Sequence, residues 1–234
     1  MKRALFVVVP LLLISGQSRA DVTILDLQGE VRVRPGLEEQ WHPAAAGALL
    51  REIDTILTGE GEVELELEDG SRFFLGSHAI LDIGDLRRIT KHELFLYLMS
   101  RKIDRLSPRT PKSRLKVGSV SVVHGERVTS PARDTLDTKS DWRAELNGAL
   151  ALYDHDLYTN AVVKLHNIEL RHLSRNDCGA VSYWLGRSFE HLQEPGQALD
   201  AYRRVIGEAE ECGGTGNEER IRRSAEAIDR LSDQ

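Results

Sequence analysis

Apolar and polar positions along the chain keep one period up to about residue 83 and another after about residue 140. Gly29-Glu30-Val31-Arg32-Val33-Arg34 alternates and stops at Pro35-Gly36, the pattern of a half-buried strand entering a turn. The alternation returns in Glu60-Gly61-Glu62-Val63-Glu64-Leu65-Glu66-Leu67-Glu68 and halts at Asp69-Gly70, a strong hairpin signal. Residues 71–75 then read as the returning strand and 79–83 as the next, which predicts an all-β first half.

From 91 to 106 the period is ambiguous. Leu96, Met99, Ile103 and Leu106 recur at three and four, as on an amphipathic helix, whereas Leu94-Phe95-Leu96-Tyr97-Leu98 also fits a buried strand. The helix is the preferred reading, with the role of covering an open sheet edge or face. Residues 129–140 are polar and read as a linker. Beyond them the helical period predicts helices near 141–154, 157–173, 178–193, 195–211 and 217–231. Pro195 suits a first turn, and Gly213-Gly214-Thr215-Gly216 sets off the last helix. An offset of 37 aligns Ala149 with Gly186, Leu152 with Phe189, Ala161 with Ala198, Leu165 with Tyr202 and Ile168 with Val205. Gly148 falls where this repeat expects a large apolar residue.

The N-terminus changes the picture. Lys2 and Arg3 precede an apolar run over residues 4–14, and Ser18-Arg19-Ala20 follows, the pattern of a cleavable secretory signal that leaves Asp21 as the new N-terminus. The run is shorter than the roughly 20 apolar residues a membrane span needs, and no later segment is long and apolar enough. The expected address is the bacterial periplasm. Both cysteines, Cys178 and Cys212, lie in the mature chain, where an even pair in an oxidising compartment is a disulfide candidate. They sit at the start of one helix and the end of its antiparallel partner, so a bond is geometrically sensible; two buried free thiols are the alternative.

The 234 residues are 41% hydrophobic and 29% charged, which fits a folded protein of one large or two small domains. The formal charge is −6, and removal of Lys2, Arg3 and Arg19 leaves 28 bases against 37 acids. Such a chain is a poor general nucleic-acid binder. The charge is unevenly placed. Residues 52–69 hold eight acids and no base, whereas 87–116 hold ten bases and two acids. The acidic ladder reads as a solvated strand face balanced by Arg32, Arg34 and Arg72, with a calcium site or a dock for a basic partner as the functional alternatives. The basic stretch reads as an exposed helix and loop, with anionic lipid headgroups, acidic wall polymer or a second copy as possible counterparts.

Several of these pieces follow one another as in a known family. Gly29-Glu30-Val31, Trp41, Gly47-Ala48-Leu49-Leu50, Asp54-Thr55-Ile56-Leu57-Thr58-Gly59, the strand ending Asp69-Gly70-Ser71, and Leu75-Gly76 stand in order over residues 24–83. The stretch resembles the FecR-like domain, named for the ferric-citrate transport regulator. That resemblance implies a compact β-sandwich or barrel-like module in the cell envelope. Family members that regulate sigma factors carry a membrane helix ahead of the domain, where this chain has its apolar leader. Leu185-Gly186-x-x-Phe189 with Ala198-x-x-x-Tyr202 is similar to a tetratricopeptide repeat, in which small residues let paired helices approach and an aromatic fills the gap. In that family the first helix of each pair forms the inner, partner-binding surface. The resemblance therefore implies a binding face of Arg143, Leu146, Leu150, Tyr153, Tyr183, Arg187 and Glu190.

Chemistry is not evident. None of the eight histidines stands in a zinc pattern, no phosphate-binding glycine loop follows a strand, and no nucleophile has a plausible base. Asp154-His155-Asp156 is the densest ligand-type cluster and reads as a turn between paired helices. The expected protein is therefore multidomain. Residues 1–20 are a signal, 21–128 an all-β FecR-like module with an inserted helix near 91–106, 129–140 a linker and 141–234 an all-α tetratricopeptide-like domain. Its expected role is non-catalytic, without cofactor, as an envelope scaffold that binds other proteins through the repeats and wall polymer or itself through the charged β surfaces. A periplasmic sensor or regulatory subunit is the alternative.

Overall fold

The computed structural model describes residues 22–106, 138–172, 177–212 and 217–233. The leader, residues 107–116 of the basic stretch and most of the polar segment 129–140 lie outside the described residues. The β region comes first and the helices follow, as the two periods predict. Eight strands are β1 (Val22–Gln28), β2 (Val31–Arg34), β3 (His42–Pro43), β4 (Leu49–Leu50), β5 (Thr55–Thr58), β6 (Glu62–Glu66), β7 (Arg72–Leu75) and β8 (Ala79–Asp82). They form two antiparallel four-stranded sheets, in the orders β4-β1-β6-β7 and β3-β2-β5-β8. The alternation predicts which side chains turn inward. Val31 and Val33 of β2, Val63 and Leu65 of β6, and Phe73 and Leu75 of β7 are buried between the sheets, while their neighbours in sequence face out.

Polar side chains lock the loops. Asp54 is buried and accepts hydrogen bonds from the backbone N–H of Gly36 and of Arg51, both at 2.8 Å, with the Arg51 guanidinium alongside. Burial alone raises a carboxyl, but these donors outweigh it and hold Asp54 below its ordinary value. Thr58 Oγ1 donates to the Gly76 carbonyl at 2.6 Å and accepts from the Ala79 N–H at 2.9 Å. Arg72 reaches the acidic ladder through Glu64 at 3.0 Å. Arg32 and Arg34 do not, because β2 belongs to the other sheet. Arg32 pairs with Glu30, and Arg34 lies 4.9 Å over the Trp41 ring.

The helices are α1 (Lys91–Leu106), α2 (Thr138–Asp154), α3 (Tyr158–Arg171), α4 (Ala180–His191), α5 (Pro195–Cys212) and α6 (Glu218–Ser232). Thr138, Lys139 and Ser140, read as linker, are the first residues of α2. The helices from α2 on pack in sequence as antiparallel neighbours, and α2 also touches α4, as α4 touches α6. The 37-residue offset holds to the level of single hydrogen bonds. At the end of α2, Asp156 has positive φ, its N–H bonds to the Tyr153 carbonyl and the Leu157 N–H to Leu152. At the end of α4, Gln193, Glu190, Glu194 and Phe189 repeat the same pattern. Both are helix ends closed by a left-handed residue, so that two carbonyls of the last turn are satisfied.

The helices close the open side of the sandwich. β7 and β8 are the last strands of their sheets, and α2 packs along both. A Cβ on Gly148 would lie 2.1 Å from the Ile80 carbonyl oxygen, so only glycine lets α2 approach β8 this closely. Leu152 and Ala161 complete the core between the sheets. Beside them α3 grips the chain that leaves β8. Asn160 Nδ2 donates to the Asp85 and Arg87 carbonyls, each at 2.6 Å, and Thr159 Oγ1 to the Ile89 carbonyl at 2.9 Å. Lys164, only 1% exposed, reaches Asp85 at 2.6 Å. At the outer edge of β7, the Phe74 N–H donates to His155 Nε2 at 2.9 Å, and the imidazole stacks on Phe73. The Asp154-His155-Asp156 turn thus satisfies a strand edge that would otherwise template a stranger.

α1 does not cover a sheet. It packs on α3, with Leu94 in the helical core and Tyr97 donating to Asn167 Oδ1 at 3.0 Å. Its start is a reciprocal cap: the Glu93 N–H donates to Thr90 Oγ1 at 3.2 Å, and the Thr90 N–H donates to Glu93 Oε2 at 2.8 Å. The Thr90 N–H, helped by Arg87, brings the Glu93 carboxyl down to about 2.

Two measurements check this account. Gly148→Ala lowers urea-unfolding stability by about 1–3 kcal/mol because the added methyl overpacks the α2–β8 contact. Gly207→Ala on α5, where a Cβ meets nothing within 4 Å, raises it by about 0.5–1 kcal/mol. Separately, Glu93 is depressed in the folded state, so its contribution is present above its unfolded value and is lost as pH falls toward about 2. A carboxyl-carbon NMR titration places Glu93 near that value, and Arg87→Ala raises it only part of the way toward 4.5, because the Thr90 backbone N–H remains.

Candidate functional site

Aromatic side chains from α2, α3, α4 and α5 meet around the α2–α4 contact. Tyr153, in the last turn of α2, meets Trp184 of α4 edge-on at 5.1 Å and Tyr158 of α3 at 5.2 Å. His191, at the end of α4, stacks on Tyr158 at 4.2 Å. Tyr183 lies 5.5 Å from Trp184 and 6.2 Å from Tyr202. Such tilted and edge-on pairs are the favoured arrangements of aromatic rings. Arg187 joins the group. Its guanidinium stands 5.9 Å over the Tyr153 ring and donates to the Tyr183 hydroxyl at 3.3 Å. Glu190, one turn on, accepts a hydrogen bond from Arg230 of α6, and beside that pair lies a cavity of about 530 Å³ toward Gln193 and Pro195.

Burial decides which of these groups can meet a partner. Tyr183 is buried, whereas Tyr153, Trp184, Arg187 and Glu190 are half-buried and His191 is exposed. Burial raises the Tyr153 hydroxyl above its ordinary value, and the hydrogen bond to Asp156 pushes Tyr158 up to about 12. Both rings are therefore neutral near pH 7, and the face carries the Arg187 charge on a largely uncharged aromatic bed.

Of the seven residues that the sequence assigns to this face, Tyr153, Tyr183, Arg187 and Glu190 come together. Leu146 is buried in the helical core, and Leu150 is half-buried and packs against that core. Arg143 is exposed near the start of α2, beside Trp142 and away from the cluster. Trp184, Tyr158, His191 and Arg230 complete the face and were not singled out by the repeat pattern. They arrive from three other positions in the repeat, so no common spacing marks them; only the density of aromatic residues around the helix ends hints at them.

A second concavity, of about 460 Å³, opens where the sandwich meets the α2–α3 turn. Its floor includes Leu67, Phe73 and Leu86, and its rim includes Arg88 and Asp69, which pair at 3.1 Å. Among the described residues, no group of three or more carboxylate, imidazole or thiol side chains is placed to hold a metal ion.

A covalent bond fixes the α4–α5 pair. Cys178 and Cys212, 34 residues apart, form a disulfide with Cα atoms at 5.5 Å. It joins the approach to α4 to the end of α5, and Arg220 of α6 donates to the Cys178 carbonyl at 2.8 Å. Closing a loop of that length restricts the unfolded chain by roughly 3–4 kcal/mol. Replacing both cysteines by serine is expected to lower unfolding stability by about that amount, measured against the oxidised parent in urea. Compared with protein-family models, curated proteins and solved structures, the chain gives no match.

Proposed function

We propose that the protein is an exported, non-catalytic scaffold of the bacterial cell envelope. A FecR-like β module is joined to a short tetratricopeptide-like array, and the α2–α4–α6 layer of the array holds a segment of another envelope protein. The observation that carries this reading is the cluster of Tyr153, Trp184 and Arg187 on one half-buried face. Tyrosine, tryptophan and arginine are the side chains on which interface energy concentrates, because each covers a large area with few rotors and offers one polar group. The Glu190–Arg230 pair supplies a polar rim. The β-module reading is supported by the work the motif residues do, with Asp54, Thr58 and Gly76 tying the loops and strand ends together. Export is supported by the N-terminal pattern of charge, apolar run and small residues.

The test is crosslinking of the tagged protein in intact source cells, with mass spectrometry of what is captured and of the bait's own N-terminus. A bait beginning at Asp21 and capturing one specific envelope protein is the expected result. Trp184→Ala with Arg187→Ala then reduces that capture by about tenfold or more, with far-UV circular dichroism showing the helices retained although thermal unfolding falls, because Trp184 also packs on the helical core. Unchanged capture by the double variant overturns the assignment of this face.

A further inference from the structure

α1 has two apolar faces, and among the described residues only one is packed against the rest of the chain. Leu94, Tyr97 and Leu98 turn toward the helical core. The stripe that the sequence marks as amphipathic turns away: Leu96 is 54% exposed and Met99 42%, with Phe95 beside them at 55%. At 100° per residue, Phe95, Leu96 and Met99 share a sector opposite Leu94, and Ile103 and Leu106 continue the same register positions in sequence. His92 is the one polar member of that sector. Large apolar residues grouped on the outside of a soluble fold mark a surface made for contact.

The charge beside the stripe indicates the contact. From Arg87 to Leu106 the chain carries six bases and two acids, in a protein whose formal net charge is −6. By register Lys91 and Lys102 border the apolar sector on one side, the Lys91 ammonium also donating to the Leu192 carbonyl at 3.1 Å, and Glu93 and Asp104 lie beyond the other side. Glu93 is already engaged by Arg87 at 3.0 Å, so it does little to repel an anion. A helix with an apolar stripe and a basic flank lies in a membrane interface, apolar side down, with its cations among anionic headgroups. The acidic ladder of β6 is the opposite extreme of the molecule's charge, and an anionic surface therefore also favours one orientation over the other.

We propose that α1 docks the protein onto anionic phospholipid surfaces through Phe95, Leu96 and Met99, assisted by the basic residues around them. The attachment is peripheral: no described helix is long and apolar enough to cross a membrane. It is also independent of the partner-binding reading, because α1 lies outside the α2–α4–α6 layer.

The test is co-sedimentation of the chain purified from Asp21 onward, so that the apolar leader itself cannot anchor it. The probes are vesicles of phosphatidylcholine alone and of phosphatidylcholine with phosphatidylglycerol, each at low and at high salt. Binding to the anionic vesicles at low salt is expected to exceed binding to the neutral ones by about tenfold or more, and to weaken as salt rises. Phe95→Ser/Leu96→Ser/Met99→Ser is expected to lower anionic-vesicle binding by a similar factor, with helix content and melting temperature unchanged because these side chains face out. Lys102→Glu, which leaves the apolar stripe intact, is expected to weaken the preference for anionic vesicles. No binding by the parent, or equal binding by the triple variant, overturns the proposal. A parent that sediments as a dimer and becomes monomeric in the triple variant also overturns it, and assigns the stripe to a second copy.

Discussion

The approach of α2 to β8 at Gly148 is the contact on which the rest of the molecule depends. A sandwich of two four-stranded sheets has open edges, and those of β7 and β8 fall on the same side. Unsatisfied edges recruit other chains. Here one helical hairpin closes both, because the missing side chain at Gly148 lets backbone meet backbone, and the turn that follows brings His155 to the Phe74 N–H. The same approach carries Lys164 and Asn160 into reach of residues 85–89. Those polar contacts would cost free energy if left unmade, so the junction is exacting as well as apolar. Leu152 and Ala161 of the helices consequently belong to the core between the sheets, while the other buried helix residues form a core of their own.

Much of this was legible, and the limits are instructive. Alternation identified β2 and β6 and the inward side of each, because a strand's period depends only on its own residues, and the turn at Asp69-Gly70 placed β7 and β8 after them. The 37-residue offset was legible down to its buried pairs, and the recurrence of left-handed residues at Asp156 and Gln193 shows that the repeat extends to the turns. What a sequence does not disclose is which neighbour an element chooses. Leu96 and Met99 form the cleaner stripe on α1, yet Leu94, Tyr97 and Leu98 face the core. Arg32 and Arg34 alternate like Arg72, yet they belong to the sheet that does not hold the acidic ladder. The aromatic face was half legible for the same reason: Tyr153, Tyr183 and Arg187 follow the repeat, whereas Tyr158 and His191 meet across two helices.

Charge is organised differently on the surface and inside. On the outside, the acidic and basic segments touch through Arg87 with Glu52 and Arg88 with Asp69, and few of the ion pairs are shielded enough to add much stability. Inside, two charged side chains are held closely by partners. Asp54 gathers two backbone donors and an arginine, and Lys164 gathers Asp85. Removing either partner would strand the other in low dielectric, so these residues define the arrangement of loops and junction more than they add to its total stability.

Gly148 also gives the helical array a direction. At the offset of 37, its counterpart is Leu185, which is fully buried in the helical core of the second pair. In the first pair that place is taken by a strand of the sandwich, so the β module occupies the station of a preceding repeat. The array therefore has a closed beginning and a modular end. Another 37-residue unit placed after α5 would find the same kind of surface that α6 now covers, whereas one placed before α2 would have to displace a sheet. Any lengthening or shortening of the array over evolutionary time is thus directed to one end, and the aromatic face grows away from the sandwich while the junction stays unchanged.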